Sequence, residues 1–131
     1  MRLPEAGDER LRGVVKTAEL FRKRMKVLKG VVLRYCFDDI EFLDEYLEEL
    51  RQKGANKQVL TMMGAYFAEV LRRNIGGVYE FDKVRQELAL RCGGVKCFPL
   101  MKVRRAYAAQ EDAPLQNYCF AFARGVAKAS R

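Results

Sequence analysis

"NKQVLTMMGAYFAEVLRRNIGGVYEFD", residues 56–82, contains the change of period that decides the fold. Val59, Leu60, Met63, Tyr66, Phe67, Val70, Leu71 and Ile75 recur at helical spacing, which predicts a helix over 56–77 with Asn56 as its cap. These residues cover more than one narrow stripe, so the helix belongs at the centre, packed on several sides. Gly64 in its middle costs about 1 kcal/mol relative to alanine and points to a neighbour that approaches closely. Gly76 and Gly77 end the helix. Directly afterwards Tyr79 and Phe81 alternate with polar residues, which is strand periodicity.

Towards the C-terminus the alternation returns in "ELALRC", residues 87–92, and leads into "RCGGVKCFP", residues 91–99. A type I′ turn at Gly93-Gly94 pairs Cys92 with Val95 and Leu90 with Cys97. Leu88, Leu90, Cys92, Val95 and Cys97 then share the buried face. Cys92 and Cys97 fall diagonal to one another, so a disulfide would need a shifted register or a wider loop. "FPLMKVRRAYAA", residues 98–109, reads as a helix with Pro99 in its first turn. "DAPLQNYCFAFARGVAKA", residues 112–129, reads as a last helix with Asp112 near its cap, burying Leu115, Tyr118, Cys119, Phe122 and Val126.

Towards the N-terminus, "DDIEFLDEYLEELRQKG", residues 38–54, is a helix with Ile40, Leu43, Leu47 and Leu50 on its inner stripe. Asp38 and Glu41 stand at capping-box spacing, and acids first with Arg51 and Lys53 last suit the helix dipole. "VVLRY", residues 31–35, is rich in β-branched residues and predicts a short strand. Leu11, Val14, Ala18, Phe21, Met25 and Leu28 mark one face of a helix over 8–28 whose other faces are basic. The expectation is a single α+β domain over residues 1–131, with a flexible N-terminus at 1–7. About five helices surround a small, mainly antiparallel sheet built from 78–98, which 31–35 would extend.

Composition narrows the function classes. No apolar run approaches the roughly 20 residues that span a bilayer, so no membrane is expected. "MRLPEAGDERLRG" has no apolar signal region, which points to the cytoplasm. With no histidine the commonest general base and the usual triads are absent. Neither GxxxxGK[ST] nor GxGxxG occurs. The cysteine spacing is C-x4-C and not that of a zinc knuckle, so the four cysteines read as core residues, and no metal or cofactor is expected.

The net charge of +8 is segregated: residues 35–50 carry seven acids and no base, while residues 1–34 carry ten bases against four acids. The acids of 38–49 read as a solvated face, with the acidic helix beside a basic neighbour. Glu69 stands out, between Phe67 and Val70 on the central helix. It reads as an exposed edge paired with Arg72 or Arg73. Alternatively it is a partly buried carboxylate, held by a basic group from another element and lining a shallow pocket. Lys102, Arg104 and Arg105 could join the first helix in a basic face over residues 10–29 and 102–105.

"VVLRYCFDDIEFLDEYLEEL", "LTMMGAYFAEVLRRNIGGVYEF" and "VKCFPLMKVRRAY" together resemble a family of small bacterial proteins of unknown function. That family carries "LDxYSPESLxxLDxxI", then "GxYxGExxRxxxGGxW", then a hairpin and "PFxxVxKRxxNG". Gly64, Tyr66, Glu69, Arg72, Gly76, Gly77, Pro99, Val103 and Arg105 match. Ala68 replaces a glycine, Tyr79 a tryptophan, "AAQED" an Asn-Gly, and "CFDDIEF" lacks the Ser-Pro-Glu-Ser run. The resemblance implies an α+β domain of bacterial origin and lends no activity.

The candidate binding residues are therefore Glu69, Arg72, Arg73, Tyr66 and Tyr79 in one group, and Lys102, Arg104 and Arg105 in another. The leading expectation is a non-enzymatic module that binds another protein through its segregated charge. A nucleic-acid-associated protein using the basic face is the alternative. An enzymatic reading would rest on Glu69 and its arginines alone.

Overall fold

The computed structural model describes residues 9–130, so the N-terminal stretch 1–7 lies outside the described residues. Among them are five helices and one sheet: α1 (Glu9–Lys29), α2 (Asp38–Lys53), α3 (Lys57–Asn74), β1 (Val78–Asp82), β2 (Glu87–Cys92), β3 (Val95–Cys97), α4 (Pro99–Ala108) and α5 (Pro114–Ala129). The sheet is antiparallel in the order β1-β2-β3. This is the α+β architecture that the change of period in 56–82 predicts.

α3 is the axis of the fold. Val59, Leu60 and every residue from Met62 to Arg72 are buried on it. Its first turn is closed by Asn56, whose Oδ1 accepts from the Val59 N–H at 2.8 Å. α1 packs along one side and α4 along another. The α4 contact explains Gly64: a Cβ there would stand 2.9 Å from Leu100 Cα. Phe21, Met25, Leu43, Leu47, Phe67, Leu71, Leu90 and Leu115 carry the core from α1 through to α5.

The hairpin register is the one the alternation predicts: Leu90 opposite Cys97 and Cys92 opposite Val95. The turn itself differs. Gly93 has φ +62° but Gly94 does not share the positive φ, the pattern of a type II′ turn and not of type I′. The cysteines are free, and burial pushes the Cys97 thiol up to about 12 and the Cys119 thiol up to about 11.

Three local expectations fail for identifiable reasons. Residues 31–35 form no strand. The backbone N–H groups of Arg34, Tyr35 and Cys36 go to side chains, Asp39 Oδ2 and the Tyr66 hydroxyl, and not to a neighbouring strand. Asp38 is the first helical residue of α2, and Phe37 holds the cap position without a side-chain bond. α5 is capped from a distance. Asp44 of α2 accepts from Leu115 N at 2.9 Å and Gln116 N at 3.1 Å, while Asp112 makes neither bond.

Candidate functional site

Glu69 is the centre of the first candidate group, and it is fully buried. The reading of Glu69 as an exposed edge is therefore corrected, although the arginine partners three and four residues on are the right ones. Its Oε2 accepts from Arg72 Nε and from the Tyr79 hydroxyl, both at 2.6 Å. Its Oε1 accepts from Arg72 at 2.8 Å and from Arg73 Nε at 3.0 Å. The cations come from the same helix; the phenol comes from β1. Gly76 and Gly77, with φ of +114° and +117°, turn the chain back after α3 so that Tyr79 meets a helix residue ten positions earlier.

These bonds fix the electrostatics. Burial alone would raise the Glu69 pKa, but the bonds from Arg72 and Tyr79 outweigh it and hold the carboxyl below its usual value. Burial, reinforced by the charge of Glu69, drives the Tyr79 phenol well above its own. A carboxylate with four donors has no free lone-pair direction left for a substrate proton. Held ionised, it is also a weak base. The group is built to be stable.

A second carboxylate, which sequence reasoning placed on the solvated face, is also buried. Asp39 Oδ2 accepts from Tyr66 Oη at 2.6 Å and from Arg34 N at 2.9 Å. Tyr66 in turn accepts from Tyr35 N at 2.9 Å. Tyr35 is the meeting point of the two groups. Its ring stacks on Tyr66 at 4.7 Å, and the Arg73 guanidinium lies 3.6 Å from its centre. Its hydroxyl donates to Glu19 Oε2 at 2.8 Å, its carbonyl accepts from Asn74, and its φ is +55°. A left-handed tyrosine persists only where its surroundings over-determine it, and here both the backbone and the ring are held. Bonds from Arg22 and Tyr35 draw Glu19 down to about 2 against a smaller cost of burial.

No family model, curated protein or solved structure matches this chain.

The structure thus joins Glu69, Arg72, Arg73 and Tyr79 directly, and Tyr66 through Tyr35. It adds Asp39, Tyr35 and Glu19, for which the sequence held no signal beyond their polarity. Among the described residues every buried side-chain nitrogen and oxygen has a hydrogen-bond partner. No three His, Cys, Asp or Glu side chains among them gather as a metal would require.

Lys102, Arg104 and Arg105 lie apart from this network. Arg104 pairs with Glu87 of β2, and Lys102 with Glu111 at 3.1 Å. α1 and α4 each pack on α3 and have no substantial contact with one another.

The surface charge is sorted differently from the sequence. Four of the seven acids of 38–49 have partners within the chain, two of them at the surface. Asp39 serves the tyrosine network, Asp44 caps α5, Glu48 pairs with Arg51, and Glu49 binds Lys29 at 2.6 Å. On the outer side of α1, Lys16, Lys23, Arg24 and Lys26 have no ion pair within 4 Å among the described residues. Beside them Leu20 is 58 % exposed and Val27 83 %; Leu28, which the spacing grouped with Phe21 and Met25, lies past the last buried turn of α1 and is 58 % exposed. Steps of three, four and seven place Lys16, Leu20, Lys23, Arg24, Val27 and Leu28 on one face. Among the described residues no helix is long and apolar enough to cross a membrane.

Proposed function

We propose that this chain is a non-enzymatic interaction module that docks an acidic protein on the outer face of α1. The observation that carries this reading is the stripe of exposed Leu20, Val27 and Leu28 set among Lys16, Lys23, Arg24 and Lys26, which have no ion pair among the described residues. Apolar side chains supply the contact area, and the surrounding cations select an acidic partner and speed its approach. Of the acids on α2, the structure pairs only Glu49 with a cation of α1 among the described residues, Lys29 at the helix end. The saturated carboxylate of Glu69, with the hydrogen-bonded one of Asp39, argues against a catalytic centre there and for a rigid scaffold under α1.

The nucleic-acid alternative requires α1 and residues 102–105 to act together. With Arg104 and Lys102 paired to acids and the two helices apart, that face is less continuous than the sequence suggests.

The test is affinity capture from the source organism, with and without nuclease, using the wild type and a Lys16→Glu/Arg24→Glu variant that retains the native circular dichroism spectrum. The expected result is one stoichiometric acidic protein that survives nuclease and is lost with the variant. Equal recovery by the variant would remove the α1 face, and material lost on nuclease treatment would transfer the function to nucleic acid, with affinity falling steeply with salt.

A further inference from the structure

A second site lies where the β1–β2 turn meets α4 and α5. Asp82 Oδ1 accepts from the Arg85 backbone N–H at 2.8 Å and so shapes the turn that carries Arg85. The Arg85 guanidinium lies 4.7 Å from the centre of the Phe98 ring. The Phe98 N–H donates to the Tyr118 hydroxyl at 3.0 Å, and Lys102 Nζ lies 5.6 Å from the Tyr118 ring centre. Arg85, Phe98, Met101, Lys102, Arg105 and Tyr118 together line a cleft of about 80 Å³.

Arg85, Lys102 and Arg105 thus border one small space, the two arginines exposed to solvent and the lysine partly buried. Like charges so arranged repel, and an anion relieves them. The Lys102 side chain is only 16 % exposed, so its charge is not simply solvated. Arg85 and Arg105 have no carboxylate within 4 Å among the described residues; Arg85 is steadied by a ring and not by an ion pair. Glu111 at the rim offsets part of the Lys102 charge.

We propose that this cleft binds the phosphate dianion of a small phosphomonoester. Three cations less one carboxylate leave a net charge of two, which matches a phosphomonoester near neutral pH and exceeds the single charge of a diester. Two guanidinium forks suit the tetrahedral oxygens, and the lysine supplies a compact third charge. The cleft has room for the phosphate group, and Phe98 and Met101 leave an apolar edge for the first atoms beyond the ester oxygen. None of these residues belongs to α1, so this site and the docking face stand or fall separately.

The experiment is a nitrogen-15 NMR titration of the whole chain at low salt, following the arginine Nε–H signals and the amides of 98–105. Three probes are used: inorganic phosphate, adenosine 5′-monophosphate, and a dinucleoside phosphodiester with no terminal phosphate. Phosphate and the monophosphate should saturate the same signals, with the diester weaker by about tenfold or more. Arg105→Gln and Arg85→Gln, each with native amide dispersion, should weaken the monophosphate by about tenfold or more. Glu111→Gln should tighten it about two- to fivefold, a gain that a merely structural role for these residues would not produce. Lys16→Gln/Arg24→Gln should leave it unchanged. No saturable shift, a diester that binds equally well, or equal weakening by the α1 variant would each overturn the assignment.

Discussion

The Tyr79 hydroxyl donates to Glu69 Oε2 at 2.6 Å, and this bond ties the first strand to the middle of the central helix. Both groups are buried, and both arginines that neutralise Glu69 lie on the helix itself. Tyr79 is thus the bond through which the sheet senses the charge in α3. Removing one member of a buried charged group leaves the others unpaired, which costs about 3–5 kcal/mol for an ion pair. Glu69→Ala is therefore expected to lose about that much in urea unfolding, and Tyr79→Phe about 1–2 kcal/mol. Losses below about 0.5 kcal/mol for both would be those of surface residues and would sink the account.

Glu69 also sets a direction for pH. Its folded value is lowered, so the unfolded chain binds the proton first as pH falls from the carboxylate's ordinary 4.5. Its contribution is complete above that value and is lost as pH drops through the folded one. Stability should therefore fall steadily in acid. Glu69→Gln should lower stability at neutral pH and flatten the acid slope. An unchanged slope would place the acid sensitivity elsewhere.

At alkaline pH the tyrosines act in the opposite sense. Burial comes first, and Glu69, Asp39 and Glu19 reinforce it in raising the phenols of Tyr79, Tyr66 and Tyr35 above their ordinary 10. A raised folded value means full stability below pH 10 and a loss as pH rises through the folded values. Ultraviolet titration should show these phenols ionising late and together with the loss of circular dichroism. Complete ionisation near pH 10 with the fold intact would contradict the buried network.

Two helix glycines should respond to alanine with opposite signs. At Gly64 the new methyl would meet the Leu100 backbone at 2.9 Å, which cannot swing away. The net change is expected to be destabilising by about 1–3 kcal/mol despite the better helix propensity. At Gly125 the nearest atom is Val95 Cγ1 at 3.5 Å, an ordinary contact, so Gly125→Ala should stabilise by about 0.5–1 kcal/mol. Thermal unfolding of the two variants decides; a Gly64→Ala variant as stable as the wild type would mean that α3 and α4 pack more loosely at Leu100, and a destabilised Gly125→Ala that the Val95 contact is tighter than 3.5 Å allows.

The sequence carried the fold where the signal is periodic. α3, the β2–β3 register and Pro99 at the start of α4 all follow from spacing that local chemistry enforces. It failed where a side chain from a distant element replaces a local partner. "VVLRY" has strand composition, but the amides of its own Arg34 and Tyr35 are taken by Asp39 and Tyr66, which no local pattern reveals. Glu69 and its arginines were legible as partners because they share a helix. Its burial was the second of two readings, and the sequence could not choose it, because the group that closes over it from another element is the Tyr79 phenol and not a cation. Asp39 was invisible for the same reason: next to Asp38 it reads as one more surface acid, and only the Tyr66 hydroxyl distinguishes it. Arg85 lies in a turn whose meeting with Phe98 is a tertiary event.

The cap of α5 puts that difference to a direct test. Local reading assigns the cap to Asp112, which is adjacent in sequence to the helix start. In the structure Ala113 takes φ +46°, Pro114 begins the helix, and the first free amides point at Asp44 on α2. Asp44 therefore both satisfies the helix end and pins α5 to α2. An aspartate accepting at a helix N-terminus is worth about 0.5–2 kcal/mol. Asp44→Ala should cost about that much and speed hydrogen exchange at the start of α5. Asp112→Ala, whose carbonyl bond to Asn117 survives the substitution, should stay within about 0.5 kcal/mol of the wild type. If Asp112→Ala proved the costlier change, the cap would be local after all, and the α2–α5 contact would have to rest on its apolar residues alone.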